Sequence, residues 1–167
     1  MCALDCGDRL VGRSHECDFP ASVRALPAVT RPRFDTGVSS RAIDRSVRDL
    51  VEQALSVYLV DHERLAALAP DLLVTQVQCE VCAVSLRDVE EAVRQGLASR
   101  PAIVSMRPDA LADLFADMRA IAEALDVPER GVQLVTRLRA RMQAIAERVA
   151  GRPRPRVACI EWIEPLM

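Results

Sequence analysis

Along the chain, short apolar runs bounded by turn residues alternate with longer segments whose apolar positions recur every three or four residues. Strands covered by helices give this alternation, and it predicts an α/β fold with a parallel sheet and flanking helices. The strand runs are Arg9 to Gly12, Ala28 to Thr30, Leu72 to Val77, Ala102 to Met106 and Val157 to Trp162. Ser40 reads as the N-cap of a helix in which Ile43, Val47, Leu50, Val51, Leu55 and Leu59 form one stripe against the sheet. Tyr58 falls near the end of that stripe and reads as core. A short helix with Leu65 and Leu68 follows Asp61 and stops at Pro70-Asp71; His62, at its start, reads as solvated or as local capping support. Ser85 and Asp88 resemble a capping box for a helix through Leu97 that turns Leu86, Val89, Val93 and Leu97 inward. Another helix runs from Pro108 to Leu125.

The helix after Gly131 has a different character. Leu134, Leu138, Met142, Ile145 and Val149 form its stripe, Arg137, Arg139, Arg141 and Arg148 cover the rest, and Gly151 is a natural C-terminal stop. A rigid helix of about 20 residues, roughly 30 Å long, followed by the Pro-rich RPRPR segment and a new strand, is what a linker between two lobes looks like. Three parts follow: residues 1–127 as an N-terminal α/β lobe, 128–152 as the linker helix and 153–167 as the first strand of a second, truncated lobe. Met1 to Leu4 reads as the tail of a helix stopped by Gly7, so the start also looks truncated. The run VACIEW reads as a buried strand. Left without a partner, it should expose Ile160, Trp162, Ile163, Leu166 and Met167, a patch that favours aggregation.

Composition narrows the function. Half of the 167 residues are apolar, enough for a substantial core, and 22 positive against 24 negative side chains leave a charge of −2. A nucleic-acid polyanion is therefore disfavoured as partner. Every positive residue is Arg; without Lys, Schiff-base chemistry and a Walker-type phosphate loop are excluded. Aromatics are only 3%, which leaves no stacking platform for bases. No run approaches the roughly 20 apolar residues of a membrane span, and no secretory signal is visible in the first residues.

In open α/β sheets, ligands bind beyond the carboxyl ends of the strands. After the first strand stands Ser14-His15-Glu16-Cys17-Asp18-Phe19-Pro20, after the third Gln78-Cys79-Glu80-Val81-Cys82, and after the last Ile163-Glu164-Pro165. Thiols, an imidazole and carboxylates thus fall at one rim. His15, Cys17, Cys79 and Cys82 are zinc-ligand types, but a single CxxC is weak evidence, and a His-x-Cys pair does not readily place both side chains on one ion. A CxxC ahead of a helix also suits a thiol oxidoreductase, although Cys82 precedes Ser85 by three residues rather than opening the helix. Against both stands plain packing of the thiols as small apolar groups.

The segments RLVGRSHECDFP, VTRPRF, LSVYLVDHERLAALAPDLLVTQVQCEVCAVSLRDVEEAV and CIEWIEPLM together resemble the cobalamin-type substrate-binding proteins of ABC importers, over nearly the whole chain. The resemblance implies a binding protein without catalysis and without a cofactor of its own. It would hold cobalamin, a related corrinoid or an iron chelate between two lobes for delivery to a permease, outside the cytoplasmic membrane and as a monomer when full length. The first strand of the family's first lobe, its Ser/Thr-rich turn and most of the second lobe have no counterpart here. On this view His15, Glu16, Cys17, Asp18, Phe19, Gln78, Cys79, Glu80, Val81, Cys82, Trp162 and Glu164 contact the ligand. Phe19, Val81 and Trp162 would face the ring, and His15 or a thiolate could reach an axial position on the metal. The resemblance also places permease docking at Asp88 or Glu90. The cysteine pair stands where other members have an aromatic residue and marks a subgroup. The competing reading is a thiol-based metal-binding module using His15, Cys17, Cys79 and Cys82.

Overall fold

The computed structural model describes residues 1–53, 56–77, 86–94 and 99–166. Short 3-10 turns at Cys2–Leu4, Gly7–Arg9 and Ala21–Ala25 precede and interleave the regular elements. These are β1 (Thr30–Pro32), α1 (Ser40–Glu52), β2 (Tyr58–Val60), α2 (His62–Leu68), β3 (Leu72–Gln76), α3 (Leu86–Arg94), β4 (Ala102–Met106), α4 (Leu111–Ala124) and α5 (Pro128–Val149). The α/β class, with a parallel strand pair and flanking helices, is as the periodicity implies. β3 and β4 run parallel, from Leu72 beside Ala102 to Gln76 beside Met106.

Several local expectations change. Leu10 to Gly12 makes no ladder; only Arg13 bridges to Ala28, through Arg13 N–H to Pro27 O and Val29 N–H to Arg13 O. The next strand lies at Thr30–Pro32 rather than Ala28 to Thr30, because there it meets an antiparallel partner, Tyr58–Val60. That partner was expected to be the tail of a helix. The Val57-Tyr58-Leu59-Val60 run is β-branched and aromatic, and pairing with β1 overrides its fit to the helical stripe. Accordingly α1 stops at Glu52, and it is capped by Ser39, whose Oγ accepts from Ala42 N–H, rather than by Ser40. Leu55, Ser85, Leu97 and Met167 lie outside the described residues.

α4 packs along α5. Leu4, Cys6, Ala122, Leu125 and Leu134 form the buried cluster, with Met118, Ile121 and Leu138 against it. Its centre is a close approach of helices: a methyl group on Gly131 would stand 2.6 Å from Ala122 Cβ and 3.4 Å from Arg119 Cα. Two arginines fasten the N-terminal turns to this pair. Arg9 donates to Leu125 O at the end of α4, and Arg130 on α5 donates to Leu4 O and Asp5 O. A smaller cluster, Leu65 with Val29, Val60, Leu73 and Val93, holds α2 and α3 against the two strand pairs. Asp61 caps α2 by accepting from Arg64 N–H, and its own N–H donates to Val29 O.

α5 extends for 22 residues, about 33 Å. Met142, Ile145 and Val149 on its second half are exposed, and Gly151 follows it with φ +74°. The buried strand expected at Val157 to Trp162 is absent. The segment is extended without a ladder, because no described strand lies beside it to pair with its backbone, and Val157 and Ile160 are 81% and 59% exposed. Ile163 and Leu166 are exposed as well, as expected of an unpartnered run, while Trp162 is half-buried and donates through Nε1 to Glu164 O. Among the described residues, no helix is long and apolar enough to cross a membrane.

The Gly131 contact makes a testable ordering. Overpacking costs about 1–3 kcal/mol, more than the helix-propensity gain of about 1 kcal/mol for Gly→Ala. Urea denaturation should rank wild type above Gly131→Ala, and that above Gly131→Val; a stabilised alanine variant would show that the helices separate without cost.

Candidate functional site

The loop from Ser14 to Cys17 is shaped by the residue before it. The Arg13 guanidinium donates through Nε to Leu26 O and through one terminal nitrogen to Ser14 O, His15 O and Cys17 O, at 3.0 to 3.3 Å. One cation thus gathers carbonyls that would otherwise point apart, which curls the loop against the incoming chain at Leu26. Cys17 N–H donates to Ser14 O, and Glu16 N–H donates to Ser14 Oγ, completing a tight turn.

This turn presents His15. Its backbone N–H donates to Thr30 Oγ1 at 3.0 Å, and its ring Nδ1 lies 2.7 Å from the same oxygen. The Tyr58 ring packs against the imidazole with centroids 5.1 Å apart and planes tilted by 47°. Backbone, one ring nitrogen and one ring face are therefore all fixed by β1 and β2. The other ring nitrogen, Nε2, is buried without a hydrogen bond. Glu16 Oε1 lies 3.2 Å from it, near enough for an ion pair if the ring is protonated but not aligned as an acceptor. The two side chains differ sharply in exposure, 19% for His15 and 70% for Glu16.

Beneath the loop is a cavity of about 330 Å³ between the β1–β2 pair and the β3–β4 pair. Its walls are Val29, Val60, Leu65, Leu73, Val74 and Val89. Its polar groups come from Ser14 to Cys17, Thr30, Tyr58, Thr75 and Gln76, and Met106 closes one side. Gln76 and Met106 are the last residues of the parallel strands, so the cavity sits at their carboxyl ends, where loops rather than ladder face outward. A mostly apolar pocket of this size with a few convergent polar groups is the usual form of a small-molecule site.

The proposed contact residues divide. His15, Glu16 and Cys17 line the cavity. Asp18 instead pairs with Arg24, and Phe19 is 89% exposed. Glu164 makes an ion pair with Arg41 on α1, and neither it nor Trp162 lines this cavity. Gln78, Cys79, Glu80, Val81 and Cys82 lie outside the described residues; Val77, just before them, donates its N–H to Met106 O. Asp88 and Glu90 lie on α3, where Glu90 is exposed. His62 is also exposed, as expected of its place at the start of α2. Arg13, Thr30, Gln76 and Met106 carried no signal of their own in the sequence, since each owes its role to a neighbour brought by folding. Tyr58, which the helical stripe places in the core, lies instead on β2 beside the cavity, and its β-branched neighbours are the signal for a strand there.

The periplasmic binding protein family model matches residues 2–164, and the chain belongs to that family. Solved structures share the fold. A periplasmic heme-binding protein from Pseudomonas aeruginosa superposes with a TM-score of 0.63 at 19% identity, covering 92% of this chain and 45% of that one. The heme-binding protein RhuT from Roseiflexus sp. RS-1, in apo form, gives 0.58 at 21% identity over 90% of this chain and 47% of that one. BhuT in complex with two hemes gives 0.57 at 22% identity over 86% and 41%. The chain thus spans less than half the length of each. Comparison with curated proteins gives no match.

If Arg13 organises the loop, Arg13→Ala should speed amide hydrogen exchange at His15 and Cys17 and lower stability by about 1–3 kcal/mol. Unchanged protection of those amides would show that the turn holds itself.

Proposed function

We propose that the chain supplies one ligand-holding lobe of the substrate-binding component of an ABC importer, and that the cargo is a metal chelate of the tetrapyrrole class. The observation that carries this reading is the mostly apolar cavity at the carboxyl ends of the parallel strands, with the Ser14–Cys17 loop at its edge. A corrin or porphyrin needs apolar surface for its ring, polar groups at its rim and little else from the protein. The family of the chain and the heme named for its structural neighbours support the same class. Cobalamin, suggested by the sequence resemblance, and heme are both candidate cargoes.

In this reading residues 1–127 form the first lobe, 128–152 the interlobe helix and 153–167 the opening of the second lobe. The exposed apolar side chains of the far half of α5, Met142, Ile145 and Val149, would then face that second lobe. The cargo rests against the loop of His15, Glu16 and Cys17, with Gln78 to Cys82 at its side; Trp162 and Glu164, which do not line the cavity, would reach it only from the second lobe. Asp88 and Glu90 on α3 form the carboxylate contact with arginines of the permease, and the protein acts outside the cytoplasmic membrane. A second reading, a zinc module of His15, Cys17, Cys79 and Cys82, draws support from His15 and Cys17 lining one cavity.

Titration of the purified chain with ferric protoporphyrin and with cobalamin, followed by absorbance, tests the choice. Saturable binding of either at unit stoichiometry is expected, with no loss of structure on adding a metal chelator. Stoichiometric zinc, unfolding by the chelator and no tetrapyrrole binding would favour the zinc module instead. In transport assays, reversing Asp88 and Glu90 together should weaken permease docking, most clearly at low salt; unchanged transport would remove those residues from the docking surface.

A further inference from the structure

We infer that the arginine row along α5, continued by the RPRPR segment after it, docks the chain on an anionic phospholipid surface. The inference goes beyond the carrier reading and does not depend on which cargo is held.

Charge is spread unevenly along the chain. Between Arg130 and Arg156 stand eight arginines and one carboxylate, Glu147, so this stretch carries +7 while the whole chain carries −2. Two of the eight are occupied within the fold. Arg130 donates to Leu4 O and Asp5 O, and the Arg139 guanidinium lies 5.1 Å from the centroid of the Phe115 ring. Arg137, Arg141, Arg148, Arg152, Arg154 and Arg156 are exposed and have no ion pair among the described residues. Glu147 accepts from Gln143 instead. Elsewhere, Arg24, Arg48, Arg64 and Arg94 each pair with a carboxylate.

At about 100° per residue, Arg137, Arg141 and Arg148 fall within about 40° of one another on α5, a single row roughly 16 Å long at the edge of the stripe of Leu134, Leu138 and Ile145. Like charges four residues apart, as at Arg137 and Arg141, destabilise a helix, and anions covering the row relieve that cost. The helix dipole accounts for a cation in the last turn, Arg148, but not for Arg141 and Arg137, two and three turns earlier. The neighbouring surface selects the anion. Met142, Ile145 and Val149 beside the row, and Val157 and Ile160 after it, are exposed. A bilayer presents phosphates above hydrocarbon, which suits guanidinium groups next to apolar side chains. A nucleic-acid duplex presents its phosphates beside polar grooves and gives such side chains nothing to enter. Where a second lobe covers the apolar stripe, the arginine row remains at its rim.

The test sediments the full chain with vesicles of phosphatidylcholine alone and of phosphatidylcholine mixed with phosphatidylglycerol. Wild type should bind the mixed vesicles and not the neutral ones. Release should be steep between about 0.1 M and about 1 M salt, as the screening length falls from about 10 Å to about 3 Å. Each arginine near such a surface is worth about fivefold in affinity. Arg137→Gln, Arg141→Gln and Arg148→Gln together should therefore weaken binding by about a hundredfold, with circular dichroism reporting an unchanged fold. Arg33→Gln, Arg45→Gln and Arg48→Gln together make the same change in net charge away from α5 and should cost less than about fivefold. Equal binding to neutral vesicles, or binding unchanged at high salt, would overturn the inference by assigning adhesion to the apolar side chains. An equal loss in both triple variants would overturn it in favour of net charge alone. Preference for duplex DNA over the mixed vesicles would make the row a nucleic-acid surface and overturn it too, and so would failure to bind either kind of vesicle.

Discussion

The geometry of the candidate site depends on one guanidinium. Arg13 stands where the extended N-terminal segment meets Ala28, and its side chain holds four backbone carbonyls, those of Leu26, Ser14, His15 and Cys17. A planar fork with several donors can bridge carbonyls in this way, whereas an ammonium on a flexible stem would satisfy them one at a time. The same device recurs away from the site. Arg9 takes the carbonyl of Leu125 where α4 ends, and Arg130 takes those of Leu4 and Asp5 in the first turns. In a chain whose cations are all arginine, irregular segments are fastened to helices and strands through their carbonyls rather than by ladders of their own.

The two packed regions have different tasks. The α4–α5 cluster is tight enough to crowd a methyl group at Gly131, and it supplies a rigid base. The smaller cluster around Leu65 leaves a cavity instead, because the β1–β2 and β3–β4 pairs do not share a ladder. The candidate site thereby falls in the looser region, while the tighter one serves as scaffold. The Ser14–Cys17 loop, held by Arg13 and Thr30, carries polar groups to the edge of that space.

Much of this was legible beforehand. Periodicity located α2, α4 and α5 and the β3 and β4 runs, because each obeys one period over its length, with clear stops at Pro70 after α2 and Gly151 after α5. The SHEC turn stood out as a candidate site because it collects ligand-type side chains, although the strand expected before it is only a single bridge. Hidden from view were the pairings. Leu59 fits a helical stripe as well as a strand, and only the presence of Thr30–Pro32 opposite decides for the strand. Val157 to Trp162 has the composition of a buried strand, but composition supplies no partner, and the segment stays exposed.

The sequence by itself determined the α/β class, the long terminal helix and the loop that bears His15, since local period, capping and turn chemistry act over a few neighbouring residues. Tertiary structure alone decided which contacts finish the site. Thr30 and Tyr58 are separated from His15 by intervening loops and α1, and they meet its ring only because β1 and β2 pair antiparallel beneath it. That the ring lies between a hydroxyl and an aromatic face is a consequence of that pairing, and no local rule of sequence contains it.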